Sequence, residues 1–501
     1  MDYLFSLVQS MSATEKRYFT RLSTLQTQNT VNQYAQLFNK LCKVKKYNEK
    51  EIKKEFNSLH FAQLKQTLYK KILQALRMFH ASEHFENEPN IHLTNYKILL
   101  SKGLLEEAKK EFNRAERTAL SGSLTFETAL LFREKNFQNT RTSSADEISD
   151  RIKNHDDFWS SHIKQLENEL KYEKLFLEVE SLNKQFEGTR NSFEKRNVSD
   201  FLQNFLLINE KSAETEFSKI LFNFIKGLAY YLTNDYSYSE KYFVSCAQLF
   251  ESSPGYIHQK EDLYIRSLAN LCLIQLYLKN EQFDESLDRL NNYKSNFPHI
   301  SNYKNYIWFT LKLMTYNSKK EFIEGGSHLD KHEELILKIE NSSIAFEELH
   351  QEINFCTFQK LFTLLGLQKQ KKAIETIQYF IKHQEGKIKE EVIVLAKIIL
   401  FFAEVENNSE EVTKDKLEDF QQFIIQKSKV YLFEKQILKF ISNILEAKSI
   451  NEKKLVFTQL KNDMSNLKNF DLEKNALLFF DFSEWLNFYN ESNFIGKDEN
   501  Y

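Results

Sequence analysis

Gly103-Leu-Leu-Glu-Glu-Ala108-Lys-Lys-Glu-Phe112-Asn-Arg-Ala115 carries the spacing of a turn that opens a packed helix. A glycine opens a turn, a small side chain follows at 108, a ring four positions on, and a second small side chain three further. Residues at those intervals share one face of a helix. A small residue at the start of a second helix lets the first approach closely, and the ring fills the gap to the next element. The stretch therefore predicts an antiparallel helical hairpin, with its second helix running through Ala115.

The arrangement recurs. Asn234-Asp-Tyr236-Ser-Tyr-Ser239-Glu-Lys-Tyr-Phe243-Val-Ser-Cys246 repeats it, with Gly227 and Tyr230 at first-helix spacing upstream. Glu281-Gln-Phe283-Asp-Glu-Ser286, with Leu290, Tyr293 and Pro298, is a third copy. Gln368 to Ala373, with Ile377 and Phe380, is a fourth.

Composition points the same way. The 501 residues include 10 Gly and 3 Pro, where average usage would give about 35 and about 25. Such scarcity of turn formers excludes collagenous and Pro-rich chains, and it argues against sandwiches, barrels and parallel α/β folds, which need them at short intervals. The prediction is an all-helical chain with helix above roughly 65% of residues. Most glycines read as punctuation between helices, Gly325–Gly326 and Gly366 among them, with Gly227 as the exception inside a helical run. Ser12-Ala-Thr-Glu15 and Ser144-Ala-Asp-Glu147 have the spacing of capping boxes. Apolar residues at three and four predict helices from Ser12, near Tyr34–Cys42, near Glu49–Phe56, from Phe61 to His80, and one long helix over 146–187.

Charge is unevenly spread. The net value is −2, yet residues 1–80 carry +9 and the remainder −11. Residues 1–88 thus form a basic helical module, 89–487 a helical-repeat body with room for about ten hairpins, and 488–501 a polar tail expected to fray. Cys42, Cys246, Cys272 and Cys356 lie among apolar neighbours without CxxC spacing, which predicts buried thiols in a reducing compartment. The opening Met-Asp-Tyr-Leu-Phe-Ser-Leu-Val lacks a basic segment, so no secretory leader is expected. The longest apolar run, Val392–Ala403, contains Lys397 and falls short of the ~20 residues of a membrane span. A cytoplasmic protein that does not enter membranes is the expectation.

Chemistry-bearing motifs are few. No GxxxxGK[ST], GxGxxG or GxSxG occurs, so nucleotide cradles and the hydrolase elbow have no support. His80-Ala-Ser-Glu83-His84 spells the HxxEH of an inverted zincin motif, but it ends a helix just before Pro89 and no third ligand accompanies it. His328 and His332 form a second i, i+4 pair, read as part of a solvated helix start. No metal, cofactor or catalytic residue is assigned, and the expectation is a chain that is not an enzyme.

The hairpin pattern resembles tetratricopeptide repeats, whose consensus runs Gly…Tyr…Ala…Phe…Ala…Pro. Here the small anchors at 108, 239, 286 and 373 stand 131, 47 and 87 apart rather than a steady 34, and the first-helix Trp is missing from all four. The resemblance implies an irregular, diverged α-solenoid whose concave face binds a protein or peptide, a non-enzymatic interaction scaffold. Aligning the copies puts Lys97, Tyr231, Gln275, Lys279, Phe358 and Phe362 at first-helix positions that face the groove in such proteins. The alternative is a transcriptional regulator, with Lys43, Lys45, Lys46, Lys53 and Lys54 meeting nucleic-acid phosphates while the repeat body senses a ligand. Glu49, Glu51 and Glu55 on the same short helix oppose that reading.

Overall fold

The computed structural model describes residues 3–25, 33–44, 47–56, 61–80, 88–122, 124–137, 144–186, 189, 191–295, 297–340, 350–407, 412–427, 430–470, 472–473, 477 and 479–495. Helix accounts for 85% of these, with no strand among them. Contacts divide the chain into two units, 1–163 and 164–501.

The first unit begins with α1 (Tyr3–Ser10), α2 (Ala13–Leu25), α3 (Gln33–Lys43), α4 (Glu49–Glu55) and α5 (Phe61–Phe79). Leu4, Val8, Phe19, Phe38, Leu68 and Ile72 form their shared core. The Ser12 capping box closes α2: Glu15 N donates to Ser12 Oγ at 3.2 Å and Ser12 N to Glu15 Oε2 at 2.5 Å. The Ser144 box does the same for α9 (Ala145–Phe186), the long helix. Between them lie α6 (Glu88–Ser101), α7 (Leu105–Ser121) and α8 (Thr125–Phe137). Helices α6 and α7 are the hairpin read from Gly103: Ala108, Phe112 and Ala115 are buried, and the Phe112 ring meets Tyr96 edge-on at 5.3 Å.

The second unit continues with α10 (Ser192–Leu202), α11 (Phe205–Ile208), α12 (Glu216–Leu232), α13 (Tyr236–Ser252), α14 (Pro254–Gln259), α15 (Glu261–Leu278), α16 (Phe283–Asn292), α17 (Pro298–Lys319) and α18 (Phe322–Glu340). It ends with α19 (His350–Gly366), α20 (Gln370–Gln384), α21 (Glu390–Asn407), α22 (Lys414–Ile425), α23 (Leu432–Glu446), α24 (Ile450–Asn466), α25 (Phe482–Trp485) and α26 (Ser492–Ile495). The pairs α12/α13, α15/α16, α17/α18 and α19/α20 pack internally, and α13 meets α15, α15 meets α17, and α17 meets α19. Each proline sits in the first turn of a helix, where its missing N–H costs nothing.

One turn geometry closes all five hairpins. Gly103, Asn234, Lys279, Lys320 and Gln368 each have positive φ, between 53° and 76°. In each, the N–H of that residue donates to the carbonyl three back, and the next N–H donates to the carbonyl four before the turn residue. This is the Schellman arrangement, which satisfies carbonyls a helix end leaves without partners. Glycine is the usual residue there; four of the five turns do without it.

Two sequence expectations need correction. Gly325 and Gly326 do not end a helix; they are the fourth and fifth residues of α18, where a Cβ would meet Thr363 at 3.1 Å and Leu367 at 2.7 Å. They permit close approach of α18 to α19, and Gly366 does the same against the Phe322 ring. Gly325 follows Lys320 by five residues, as Ala108 follows Gly103, Ser239 follows Asn234 and Ala373 follows Gln368. The α17/α18 pair is therefore a fifth copy that the sequence reading missed. The chain end is not a frayed tail throughout, because Tyr489, Phe494 and Ile495 are buried. The Tyr489 hydroxyl donates to Phe402 O at 2.8 Å, and Phe494 packs among Phe402, Phe440 and Phe457.

Candidate functional site

A cavity of about 140 Å³ lies within the second unit. Its hairpin contributions come from first helices alone: Leu228 and Tyr231 from α12; Arg266, Ala269, Asn270 and Leu273 from α15; Tyr303, Ile307, Thr310, Leu311 and Met314 from α17; Glu352 and Phe355 from α19. Asn183 of α9 and Phe479 complete the lining. The α15 contributions recur at three and four because that face of the helix turns towards α12 and α17. The opposite side carries Leu268, Leu271, Cys272 and Ile274 into the core.

Arg266 is the sole charged residue between Leu263 and Leu278. Burying an unpaired guanidinium would be costly, and Glu180 of α9 offsets it, with Arg266 Nη2 2.5 Å from Glu180 Oε1. The guanidinium also lies over the rings of Phe224 and Phe176, at 5.2 and 5.9 Å. Glu352 is the second acid. The Tyr303 hydroxyl donates to its Oε1 at 3.4 Å. Burial raises the Glu352 carboxyl above the usual carboxylate range, although Arg266 and Tyr303 pull it back in part. The Asn270 amide makes no hydrogen bond among the described residues.

A larger cavity, about 340 Å³, lies among α18, α19 and α20. Two ion pairs lie in its lining, Lys360 with Glu340 at 2.7 Å and Lys372 with Glu333 at 3.6 Å, beside Asp330, Lys369 and Glu375.

Of the six groove residues expected from sequence, Tyr231 alone lines the first cavity. Gln275 is 1% exposed in α15, with its Oε1 buried and without a hydrogen-bond partner. Lys279 is the left-handed turn residue that ends α15 and does not line the cavity. Phe358 and Phe362 are core residues: Phe358 meets Phe380 and Phe479, and Phe362 meets Phe480, Phe322 and Phe488. Lys97 is exposed in the first unit, 3.5 Å from Glu134. A shift of one residue turns a side chain by about 100°, enough to take Gln275, Phe358 and Phe362 off this cavity. Sequence reasoning missed Arg266, Glu352 and Tyr303. The signal available was Arg266, a lone charge inside an apolar helical run.

Of the basic residues, Lys43, Lys53 and Lys54 are exposed on α3 and α4, while Lys45 and Lys46 lie outside the described residues. Neighbouring lysines are engaged with acids: Lys40 with Glu55 at 2.6 Å and Lys65 with Glu49 at 3.5 Å. His80 Nε2 sits 2.6 Å from Glu15 Oε1, while Glu83 and His84 lie outside the described residues. The His328/His332 pair is not at a solvated helix start; His328 is 8% exposed, stacks on Phe309 and donates from Nε2 to Phe309 O at 3.2 Å. Cys246, Cys272 and Cys356 are buried and Cys42 half-buried; burial pushes the Cys246 and Cys272 thiols up to about 12. No helix among the described residues is long and apolar enough to cross a membrane. No family model matches the chain, nor does any curated protein or solved structure.

Proposed function

We propose that this chain is a non-enzymatic interaction protein of the cytoplasm, an irregular tetratricopeptide-like α-solenoid that holds a peptide, a helix or another protein against its first helices. The observation that supports the reading is the composition of the cavity: four successive hairpins each contribute their first helix to it, and none contributes its second. Stacked hairpins with a common turn expose their first helices side by side, and that face is the usual ligand surface of helical-repeat proteins. Apolar walls with a few polar groups suit a ligand site.

The test is a photo-crosslinker placed at Asn270, inside the cavity, or at Leu455, which is 71% exposed on α24. The reading expects a discrete protein or peptide adduct from cell extract with the first and none with the second. Adducts from Leu455 alone would overturn it.

A further inference from the structure

We propose that the cavity between Arg266 and Glu352 receives a primary ammonium group on a short apolar stem, as at the end of a lysine side chain presented by a bound peptide. The inference rests on the reading of the cavity as a ligand site and names what that site selects.

Charge comes first. Arg266 and Glu352 both line the space, yet no ion pair within 4.0 Å joins them. The counter-charge of Arg266 is Glu180, which is not part of the lining. The groups acting on Glu352 are Arg266 from α15, Tyr303 from α17 and Glu180 from α9, so that with Glu352 itself the cluster is two acids, one base and a phenol. The cluster therefore holds one carboxylate more than it has cations. A buried carboxylate left in that state is costly, and an entering cation would offset the cost.

Shape and lining agree. An apolar cavity of ~150 Å³ holds a molecule the size of benzene. A space of about 140 Å³ thus accepts about five or six heavy atoms, the bulk of a four- or five-carbon amine. Leu228, Leu273, Ile307, Leu311 and Met314 supply walls for the stem. The rings of Tyr231, Tyr303, Phe355 and Phe479 present faces or edges to the same space, and aromatic faces attract an ammonium group. The Asn270 amide is available to a peptide carbonyl beside the stem. An anionic ligand would meet Arg266 already neutralised by Glu180 and would add a third negative charge beside Glu352.

The test is calorimetric titration of the full chain with n-pentylamine, pentan-1-ol and pentanoate, three probes of one length and different charge. The amine should bind at one site, with the alcohol and the carboxylate at least tenfold weaker. Glu352→Gln should weaken the amine at least tenfold with the melting temperature of the wild type or above, and Glu352→Asp should retain part of the affinity. Tighter binding of pentanoate, amine affinity unchanged in Glu352→Gln, or no binding of the amine would each overturn the assignment. Failure here is distinguishable from failure of the broader reading: if the Asn270 crosslinker still captures a partner while the amine does not bind, the ligand site stands and its selectivity for ammonium falls.

Discussion

Gly227 of α12 faces the ring of Phe243 on α13 so closely that a Cβ on the glycine would lie 2.9 Å from two ring carbons. Twelve residues apart from it in sequence, Ser239 donates its Oγ to the Gly227 carbonyl at 2.6 Å. Glycine in a helix interior costs about 1 kcal/mol relative to alanine, so its presence here reflects the packing of the hairpin. Phe243 is fully buried, and its ring has little room to retreat.

Gly227→Ala should therefore destabilise the second unit by about 1–3 kcal/mol, the overpacking penalty exceeding the gain in helix propensity. Urea denaturation checks this. Adding Phe243→Leu to that variant should restore part of the loss, since the smaller side chain vacates the space the new methyl needs.

Ala108→Leu makes the same point in the first unit. Ala108 is 1% exposed, at the start of α7 where it packs against α6. Overpacking should cost about 1–3 kcal/mol. An unchanged denaturation midpoint would mean that the small side chain at this position does not set the hairpin.

The left-handed turns give a prediction of opposite sign. A non-glycine residue in that conformation pays roughly 1–2 kcal/mol, partly offset by the entropy glycine loses on folding. Lys279→Gly should stabilise by about 0.5–1 kcal/mol. Gly103→Ala should destabilise by about 1 kcal/mol, although a Cβ there meets nothing within 4 Å. Thermal melts of the two variants should move in opposite directions.

His328 supplies a pH dependence. Burial holds its imidazole down at about 4, with His332, Lys312 and Lys331 adding repulsion. The unfolded chain takes up this proton near pH 6.5 and the folded one only near 4, so stability is full above about 6.5 and lost as pH falls through that window. The loss should be on the order of 2–3 kcal/mol. It is measured as the stability difference between wild type and His328→Gln, which should shrink by that amount between pH 7 and pH 4.

Much of this architecture is legible in the chain. The two capping boxes place the starts of α2 and α9, and the apolar stripes place α3, α4 and α5 within a residue or so of where they lie. These are local signals, complete within one turn or one helix. The α17/α18 hairpin escaped because its left-handed residue is Lys320 and its small residue is Gly325, so the turn looked like helix and the close approach looked like a break. The cavity escaped for a different reason. Which face of α15 meets α12 and α17 depends on side chains brought from Glu180, Tyr303 and Glu352, residues 86, 37 and 86 positions away from Arg266. A spacing rule carried from one hairpin to the next cannot register those partners, and the Gln275, Phe358 and Phe362 it nominated are buried outside the cavity.

Whether the first helices hold the ligand is decided by the affinity of peptides, selected from a displayed library on the full chain, for wild type and for Asn270→Trp. The indole would fill the cavity without breaking a hydrogen bond among the described residues. Asn270→Trp should lose at least tenfold in affinity with the melting temperature unchanged. Undiminished binding to a folded Asn270→Trp protein would contradict this reading and move the ligand surface off the first helices.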